Sequence, residues 1–370
     1  MKIVADANMP LLAELFRPHG EVVALPGRAI DAAAVRDAAV LLVRSVTRVD
    51  ATLLAGSAVR FVGSATSGCD HVDQRWLAGA GIHFAHAPGC NADAVVQYVL
   101  SACCALRPRW RELVIGIVGA GAVGGRLYRL LRALGVRCLV HDPLLPDEAI
   151  PERVPLHAVL AGADILTLHV PLTQGGAHPT LHLLDGARLD LLKPGCLLIN
   201  AARGAVVDNR ALRARLEAGA ALTAVLDVWE GEPRFDPHLR RRVTVGTPHI
   251  AGYSREGRDN GTRAVHAAFC AWSGTAPPAV PDAAMQPLVV PPGADRLTQT
   301  ILATFDVREE DRRMVAALAT VSPAGDDLAR AFDALRRSCP ERREFSHFRV
   351  AGADPALAAE LRLLGFAVMG

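Results

Sequence analysis

Lysine is almost missing from this chain of 370 residues, and several other signals are missing with it. Of the 40 basic residues only Lys2 and Lys193 are lysines, so a single arginine is weak evidence for a binding site. The formal net charge of +2 gives no electrostatic reason to expect nucleic acid or an anionic membrane as a partner. No apolar run is long enough to span a membrane, and the N-terminus has no apolar signal region, which favours a cytoplasmic location.

Patterns typical of metal sites and disulfide frameworks are also missing. The chain has 8 cysteines but no CxxC pair, which favours buried, reduced thiols over a set of disulfides. The histidine pairs His83 with His86 and His178 with His182 have no third ligand at a useful spacing. We therefore expect no metal site.

The chain does contain a regular alternation of short apolar runs and amphipathic stretches up to about residue 275. Strands rich in Val, Ile and Leu that are separated by helices indicate parallel sheets covered on both faces. The predicted strands of this part are 2–5, 22–25, 40–43, 61–63, 114–118, 137–141, 165–169, 196–200 and 224–226. A Pro-rich stretch over residues 276–293 predicts a linker, and helices near 312–319, 327–337 and 355–364 with a strand near 348–351 follow it.

A glycine motif follows the predicted strand 114–118. Gly119, Gly121 and Gly124 form GxGxxG at the start of a helical pattern, which is typical of a dinucleotide-binding turn. Asp142 ends the next predicted strand, about twenty residues further on, where a carboxylate binds the ribose diol. A 2′-phosphate roughly 5 Å from that carboxylate would cost on the order of 3 kcal/mol per unit charge at an effective dielectric constant of about 20. The motif therefore predicts NAD rather than NADP.

Three later segments supply residues that the oxidation of a hydroxy acid requires. Arg203, Glu232 and His249 each follow a predicted buried apolar run, and such positions meet at one edge of an open α/β sheet. A guanidinium matches a substrate carboxylate bidentately, and an imidazole can take the hydroxyl proton near neutral pH. A carboxylate beside the imidazole fixes its tautomer and supports its protonated form. The sequence thus predicts Arg203 as the substrate anchor, His249 as the base and Glu232 as its partner.

These segments resemble the signature blocks of the D-isomer-specific 2-hydroxyacid dehydrogenases, in which Arg, Glu and His have these roles. The matching stretches are Asn-Ala-Ala-Arg-Gly-Ala-Val-Val-Asp at 200–208, Leu-Asp-Val-Trp-Glu-Gly-Glu-Pro at 226–233 and His-Ile-Ala-Gly-Tyr at 249–253. The likeness includes residues 1–10, 43–49, 61–73 and 87–92 and returns in Pro-Glu-Arg-Arg-Glu-Phe-Ser at 340–346. It therefore includes a tail that generic members lack, and this favours a subfamily that acts on a phosphorylated sugar acid.

The resemblance implies a fold and a domain organisation. Two doubly wound parallel-sheet lobes, Rossmann- and flavodoxin-like, are expected, together with a small C-terminal α/β dimerisation domain. The substrate lobe is predicted over residues 1–92 plus 254–280, and the NAD-binding lobe over 93–253. The tail, 281–370, is expected to build a homodimer, since a unit so short commonly completes its core against another subunit.

The resemblance also implies further site residues. Substrate contacts are expected from Ser45, Thr66 and Tyr253. Cofactor contacts are expected from Gly119, Gly121, Ala122, Val123, Gly124, Asp142, Val170, Ala201, Ala202, Arg203, Asp227 and Gly252. Val170 stands where the family often has Thr, so only a backbone contact is expected there. Candidate phosphate ligands are Arg44 and Arg48 beside Ser45, and Arg342 and Arg343 if the tail of a second subunit overhangs the cleft. The run Arg240 to Arg242 is interpreted instead as an exposed helix end.

Two alternatives stay open from the sequence. Another enzyme of the same family, acting on 3-phosphoglycerate, glycerate or a simple 2-hydroxy acid, would share every motif except the tail. A binding protein that responds to NAD could also use this fold, although Arg203, Glu232 and His249 argue against pure binding.

Overall fold

The structure, a computed structural model, describes residues 1–277, 284–322 and 326–369. Residues 278–283, which belong to the predicted linker, lie outside the described residues. The internal contacts divide the chain into two compact units, Met1–Asn91 with Ser254–Ala284, and Ala92–Tyr253 with Met285–Gly370. The predicted division puts residues 281–370 in a domain of their own, whereas the structure groups the tail from residue 285 with residues 92–253.

Strands and helices alternate along the described residues. Strands β1–β14 are Lys2–Asp6, Glu21–Leu25, Val40–Val43, Phe61–Ser64, His83–His86, Ile115–Val118, Cys138–His141, Ile165–Leu168, Cys196–Asn200, Leu222–Leu226, Val245–Gly246, Gln286–Val289, Phe348–Ala351 and Ala367–Val368. Helices α1–α15 are Leu12–Phe16, Ala32–Val35, Ala51–Leu54, Gln74–Gly79, Ala92–Leu106, Ala122–Ala133, Leu156–Gly162, Gly186–Leu189, Asn209–Glu217, Pro237–Arg240, Arg255–Ser273, Arg296–Thr304, Val307–Leu318, Asp326–Arg337 and Pro355–Leu364.

The first unit is built on a parallel sheet with the strand order β2-β1-β3-β4-β5. The central strands β3 and β4 are fully buried, as apolar strands covered on both faces should be. Helix α11 packs against β4 and β5 and contacts α1, so this long helix returns to the unit after the chain has formed most of the second. The order matches the flavodoxin-like arrangement, which confirms the predicted fold class for this lobe.

The second unit contains a parallel sheet with the order β11-β10-β9-β8-β6-β7. The chain leaves β6 for β7 on one side and then crosses to β8 on the other, so the switch point lies between β6 and β8. Ligands of open α/β sheets bind beyond the carboxyl ends of the strands at such a point. This arrangement confirms the predicted Rossmann-like lobe.

The tail forms a small parallel sheet, β12-β13-β14, with helices α12 to α15 around it. Its apolar residues, among them Ile301, Phe345 and Leu361, belong to the same buried core as α5 and β6. The expectation that the tail needs a second subunit to complete its core is therefore corrected, because residues 92–253 of the same chain cover that face.

Arg240 ties the tail to the sheet, which corrects the interpretation of this run as an exposed helix end. The side chain of Arg240 is only 8% exposed and donates a hydrogen bond of 2.5 Å to Asp311 on α13. The same carboxylate oxygen accepts the amide of Gly246 on β11 at 2.8 Å. Arg241 and Arg242 are exposed, as expected. Of the three arginines, the one that is paired with an acidic side chain turns inward, because an unpaired buried charge would be strongly destabilising.

Candidate active site

Three neighbouring strands of the second unit bring the predicted chemical segments to one edge of the sheet. β9, β10 and β11 lie side by side and run parallel, so their carboxyl ends meet there. Residues 201–203, 227–232 and 247–253 follow these three strands directly. These segments contain Arg203, Glu232 and His249, which are up to 46 positions apart in the sequence. The three segments therefore meet at one edge, as the sequence predicts.

Glu232 and His249 form a direct pair. Oε1 of Glu232 is hydrogen-bonded to Nδ1 of His249, and Oε2 accepts the amide of Trp229 at 3.1 Å. Burial raises the pKa of Glu232, but the charge of His249 and these hydrogen bonds outweigh it, so the pKa lies below its usual value. Glu232 is thus ionised at neutral pH. Because the carboxylate holds Nδ1, Nε2 is the ring nitrogen left for a substrate proton.

Asp227 shapes the loop that presents His249. Its Oδ1 accepts the hydroxyl of Thr247 at 2.6 Å and the amide of Ile250 at 2.7 Å, and its Oδ2 accepts the amide of Ala251 at 2.9 Å. The amide of His249 donates to the carbonyl of Asp227 at 2.7 Å. These bonds hold His249 at φ 56°, in the left-handed region that few residues other than glycine adopt.

The sequence predicts Asp227 only as a cofactor contact and gives no sign of this positioning role. Its partner Thr247 is also hydrogen-bonded to the hydroxyl of Tyr98 on α5 at 2.8 Å. Helix α5, which is distant in the sequence, therefore helps to hold the loop of His249. The only local signal for the positioning role of Asp227 is that it is an acidic residue directly after a buried strand. The contact between Tyr98 and Thr247 has no local signal, because the two residues are 149 positions apart in the sequence.

Arg203 lies where β9 meets the Glu232 turn. A Cβ on the adjacent Gly204 would come within 2.0 Å of the backbone of Trp229, so only glycine allows this close approach. Asn200 fixes the segment by donating to the carbonyl of Arg203 at 2.9 Å and accepting the amide of Ala202 at 3.1 Å. The guanidinium is half-buried, and its Nη1 donates to the carbonyl of Ala202 at 2.8 Å.

The glycine loop between β6 and α6 has the geometry expected of a pyrophosphate cradle. Gly119 has φ +87°, and a Cβ on Gly124 would come within 1.9 Å of the carbonyl oxygen of Gly119. A Cβ on Gly121, by contrast, would meet nothing within 4 Å. Packing therefore requires the first and third glycines, whereas the second leaves open space for a ligand.

The N-terminus of α6 provides donors for that ligand. Gly121 precedes the helix without a side-chain cap, and Ala122 and Val123 begin its first turn, so their amides are available to an anion. Asp142, after β7, holds the loop, since its Oδ2 accepts the amide of Ala120 at 2.8 Å and its Oδ1 accepts that of Leu144 at 3.0 Å. These features fit a dinucleotide, with Asp142 as the ribose ligand.

The remaining predicted cofactor residues surround the same edge of the sheet. Val170 follows β8, and its Cγ1 lies 2.8 Å from where a Cβ of Gly119 would be. Ala201 and Ala202 follow β9 directly, and Gly252 lies in the loop of His249. The sequence does not predict His169, directly before Val170, as a site residue. Burial lowers the pKa of His169 to about 4, which keeps its ring neutral beside the glycine loop.

The first unit contains the other predicted substrate residues at the carboxyl ends of two neighbouring strands. Ser45 is exposed in the turn after β3. Thr66 follows β4, and its hydroxyl binds that of Ser64 at 2.7 Å and the carbonyl of Gly68 at 2.8 Å. Arg48, a candidate phosphate ligand, is paired with Asp50 at 2.7 Å. The sheet order thus places the loops of Ser45 and Thr66 side by side within this unit.

Tyr253 and the tail arginines lie in the second unit. The guanidinium of Arg336 stacks over the ring of Tyr253 at 5.5 Å and lies 3.4 Å from its hydroxyl. Arg342 and Arg343 are each 6% exposed, and Arg342 donates to the carbonyls of Ala251 and Ala94. These arginines are thus buried within their own chain, which does not fit the predicted overhang onto a partner's cleft.

Comparisons with known proteins agree with this geometry. The family model described as D-isomer specific 2-hydroxyacid dehydrogenase, NAD binding domain, matches residues 104–251, and one described only as a domain of unknown function matches residues 281–365. An erythronate-4-phosphate dehydrogenase of Pseudomonas paraeruginosa is 48% identical over 99% of both chains. The chain belongs to the D-isomer-specific 2-hydroxyacid dehydrogenase family. The resemblance inferred from the sequence motifs is therefore confirmed.

Solved structures share the fold of this chain. The TT0316 protein from Thermus thermophilus is 27% identical with a TM-score of 0.65, and the match covers 75% of this chain and 99% of that one. A D-lactate dehydrogenase from Aquifex aeolicus, solved with NAD and lactic acid, has a TM-score of 0.61 at 21% identity. The match covers 74% of this chain and 96% of that one and shows that the two proteins share a fold. As a family member the protein is an NAD-dependent oxidoreductase.

No helix among the described residues is long and apolar enough to cross a membrane.

Proposed function

We propose that the protein oxidises 4-phospho-D-erythronate at C2 to (R)-3-hydroxy-2-oxo-4-phosphobutanoate, with NAD as the oxidant, in pyridoxal 5′-phosphate biosynthesis. The observation that carries the proposal is the Glu232–His249 pair in a chain whose likeness to erythronate-4-phosphate dehydrogenases extends over its full length. The likeness includes the tail, which the signature motifs of the wider family do not require.

The residues of the second unit have complementary tasks in this reaction. Oxidation of the alcohol removes a hydride from C2 and a proton from its oxygen. The nicotinamide of bound NAD supplies the hydride acceptor. Arg203 binds the substrate carboxylate, and Nε2 of His249 takes the hydroxyl proton. Glu232 orients the ring through Nδ1 and stabilises the imidazolium that forms.

Substrate contacts are proposed for Ser45, Thr66 and Tyr253. For the phosphate, Arg44, beside Ser45, is the proposed cation. Arg342 is less suitable, because its guanidinium is buried in the fold, lies 4.3 Å over the ring of Phe305 and donates to the carbonyls of Ala251 and Ala94. Its Nε and Nη1 are sealed from solvent, so a phosphate could reach them only if this packing opened.

Asp142 should make the enzyme prefer NAD. We expect NAD to bind about tenfold more tightly than NADP or better, because the carboxylate repels a 2′-phosphate. Titration of both dinucleotides, followed by tryptophan fluorescence, measures the ratio. Asp142→Asn, which keeps one acceptor oxygen for the amide of Ala120 or of Leu144, should reduce the ratio of the two affinities. Equal affinities in the unaltered protein would contradict the role of Asp142.

A steady-state assay tests the substrate assignment. We expect 4-phosphoerythronate to have the highest kcat/KM with NAD when it is compared with 3-phosphoglycerate, glycerate and lactate. A preference for 3-phosphoglycerate would favour the alternative within the family, and a preference for an unphosphorylated acid would also remove the proposed phosphate contacts. Tight NAD binding without turnover of any acid would favour a binding protein.

We further propose that the protein is a homodimer and that the tail forms the interface. Of the nine large apolar side chains exposed among the described residues, five belong to the tail: Met285, Val289, Val315, Leu363 and Met369. Val289 is 71% exposed on β12, an edge strand of the tail sheet. Exposed apolar residues on an edge strand are typical of an interface.

A single charge on β12 should disrupt this dimer. We expect light scattering to report a dimer for the unaltered chain and a monomer for Val289→Glu, because the glutamate would be buried unpaired in the interface. Leu191→Glu is the matched control, since Leu191 is 46% exposed and lies outside the tail. An unaltered chain that is monomeric, or a dimer that survives Val289→Glu, would contradict the proposed interface.

A further inference from the structure

A cluster of two imidazoles and a thiol lies in the first unit, where the proposed chemistry makes no use of it. His19 ends the short 3₁₀ turn after α1, and His266 and Cys270 lie one helical turn apart on α11. His266 is 2% exposed and Cys270 5% exposed, while His19 is half-buried. His19 is 247 positions from His266, so no local spacing in the sequence could reveal the group.

The three candidate ligand atoms are separated as a tetrahedral zinc ion requires. With zinc about 2.0–2.1 Å from nitrogen and about 2.3 Å from sulfur, two nitrogen ligands lie about 3.3 Å apart and a nitrogen and a sulfur about 3.6 Å apart. The Nε2 atoms of His19 and His266 are 3.0 Å apart. Sγ of Cys270 lies 3.4 Å from Nε2 of His266 and 4.0 Å from Nε2 of His19. Each separation is within about 0.4 Å of the ideal value. Sγ also lies 3.9 Å from Nδ1 of His266 and so stands beside the ring, which means that the ring must turn for Nε2 to face an ion bound by Sγ.

The surroundings hold both imidazoles in place. The ring of Phe16 meets that of His266 edge-on at 5.0 Å, and the ring of Phe269 meets that of His19 in the same way at 5.0 Å. His266 also makes a hydrogen bond to the backbone of Leu15. Such packing and hydrogen bonding limit the movement of ligands at metal sites.

The cluster also favours the ligand form of its histidines. Two Nε2 atoms at 3.0 Å can share only one proton, so at least one ring nitrogen presents a lone pair to the other groups. A borderline-soft divalent ion suits two imidazoles and a thiolate, and the half-buried side at His19 leaves a fourth position for water.

We propose that His19, His266 and Cys270 bind a zinc ion that links the turn after α1 to helix α11. This site differs from the expectation, drawn from the sequence, that the protein has no metal. A second group of candidate ligands, His182, Asp208 and Glu230, is less suitable. The two ring nitrogens of His182 face different carboxylates, Nε2 at 2.8 Å from Glu230 and Nδ1 at 3.9 Å from Asp208, so one ring cannot present both to one ion.

Cobalt titration of the full-length chain, free of affinity tags and stripped with a chelator, tests the site. We expect one equivalent of Co²⁺ to bind with a thiolate-to-cobalt charge-transfer band, and Zn²⁺ to displace it. Zinc should also raise the melting temperature, because the ion binds only the folded chain. Cys270→Ser should abolish the band, and both Cys270→Ser and His19→Ala should weaken zinc binding by about tenfold or more.

Two control variants separate this site from other thiols and histidines. Cys69→Ser removes a half-buried thiol of the same unit, and His182→Asn removes the centre of the second group, so neither should change the titration. Circular dichroism of the metal-free variants checks that each one folds. The proposal is overturned if the unaltered chain shows no thiolate band, if binding survives Cys270→Ser and His19→Ala, if His182→Asn abolishes it, or if only Cu⁺ binds. Dehydrogenase activity is a separate readout, so loss of the proposed function would leave this result interpretable.

Discussion

Replacing His249 by alanine should lower kcat for the acid by about 10²-fold or more, because general-base catalysis typically contributes 10²- to 10⁴-fold. His249 is paired through Nδ1 with an ionised Glu232, so the variant removes the group that takes the hydroxyl proton while the carboxylate stays. Steady-state formation of NADH measures the effect. NAD affinity should be nearly unchanged, since the glycine loop and Asp142 lie on other strands.

The backbone at His249 requires a second variant. Because φ is 56° there, alanine adds strain to the loop that asparagine largely avoids. His249→Asn should therefore keep the melting temperature closer to that of the unaltered chain and still lose turnover to the same extent. His157→Ala, which changes an exposed histidine of the same unit, is the matched control. Turnover near normal in both His249 variants would remove this residue from the proposed role.

Much of the fold could be predicted because a buried strand appears in the sequence as a short apolar run between amphipathic stretches. All nine strands predicted before residue 253 are present, with ends that differ by no more than two residues. The strands that were missed lack that signal. β5 reads His-Phe-Ala-His on a half-buried edge, and β11 and β14 have only two residues each. The linker predicted over 276–293 is wrong at residues 286–289, because β12, which reads Gln-Pro-Leu-Val, pairs with β13 there. Their place in a sheet depends on the neighbouring strand rather than on their own composition.

The candidate site was predictable where a side chain follows a strand and not where its partner comes from a distant segment. Arg203, Glu232 and His249 follow three strands whose order brings them to one edge. The anchoring of Asp227 through Thr247 to Tyr98, and the burial of Arg240 against Asp311, join residues 149 and 71 positions apart. Composition could not reveal these pairs, because the partners are far apart in the sequence and an arginine-rich chain gives no reason to single out the arginines that are buried.

Arg203 provides the second large effect. We expect Arg203→Met to lower kcat/KM for the acid by about 10²-fold or more, because each hydrogen bond from a charged group contributes about 1.5–3 kcal/mol and a guanidinium makes two to a carboxylate. Arg203→Lys should recover only part of this loss, since an ammonium group keeps the charge but not the paired geometry. Michaelis–Menten kinetics over a range of acid concentrations measure both values.

Stability should change little in either Arg203 variant. Nη1 of Arg203 donates to the neighbouring carbonyl of Ala202, and Asn200 holds the backbone of this segment independently of the Arg203 side chain. Arg210→Lys, an exposed change at the start of α9, is the matched control and should leave kcat/KM unchanged. If Arg203→Met keeps a normal kcat/KM, another cation binds the carboxylate. If Arg203→Lys restores full activity, charge alone is sufficient and the bidentate contact is wrong.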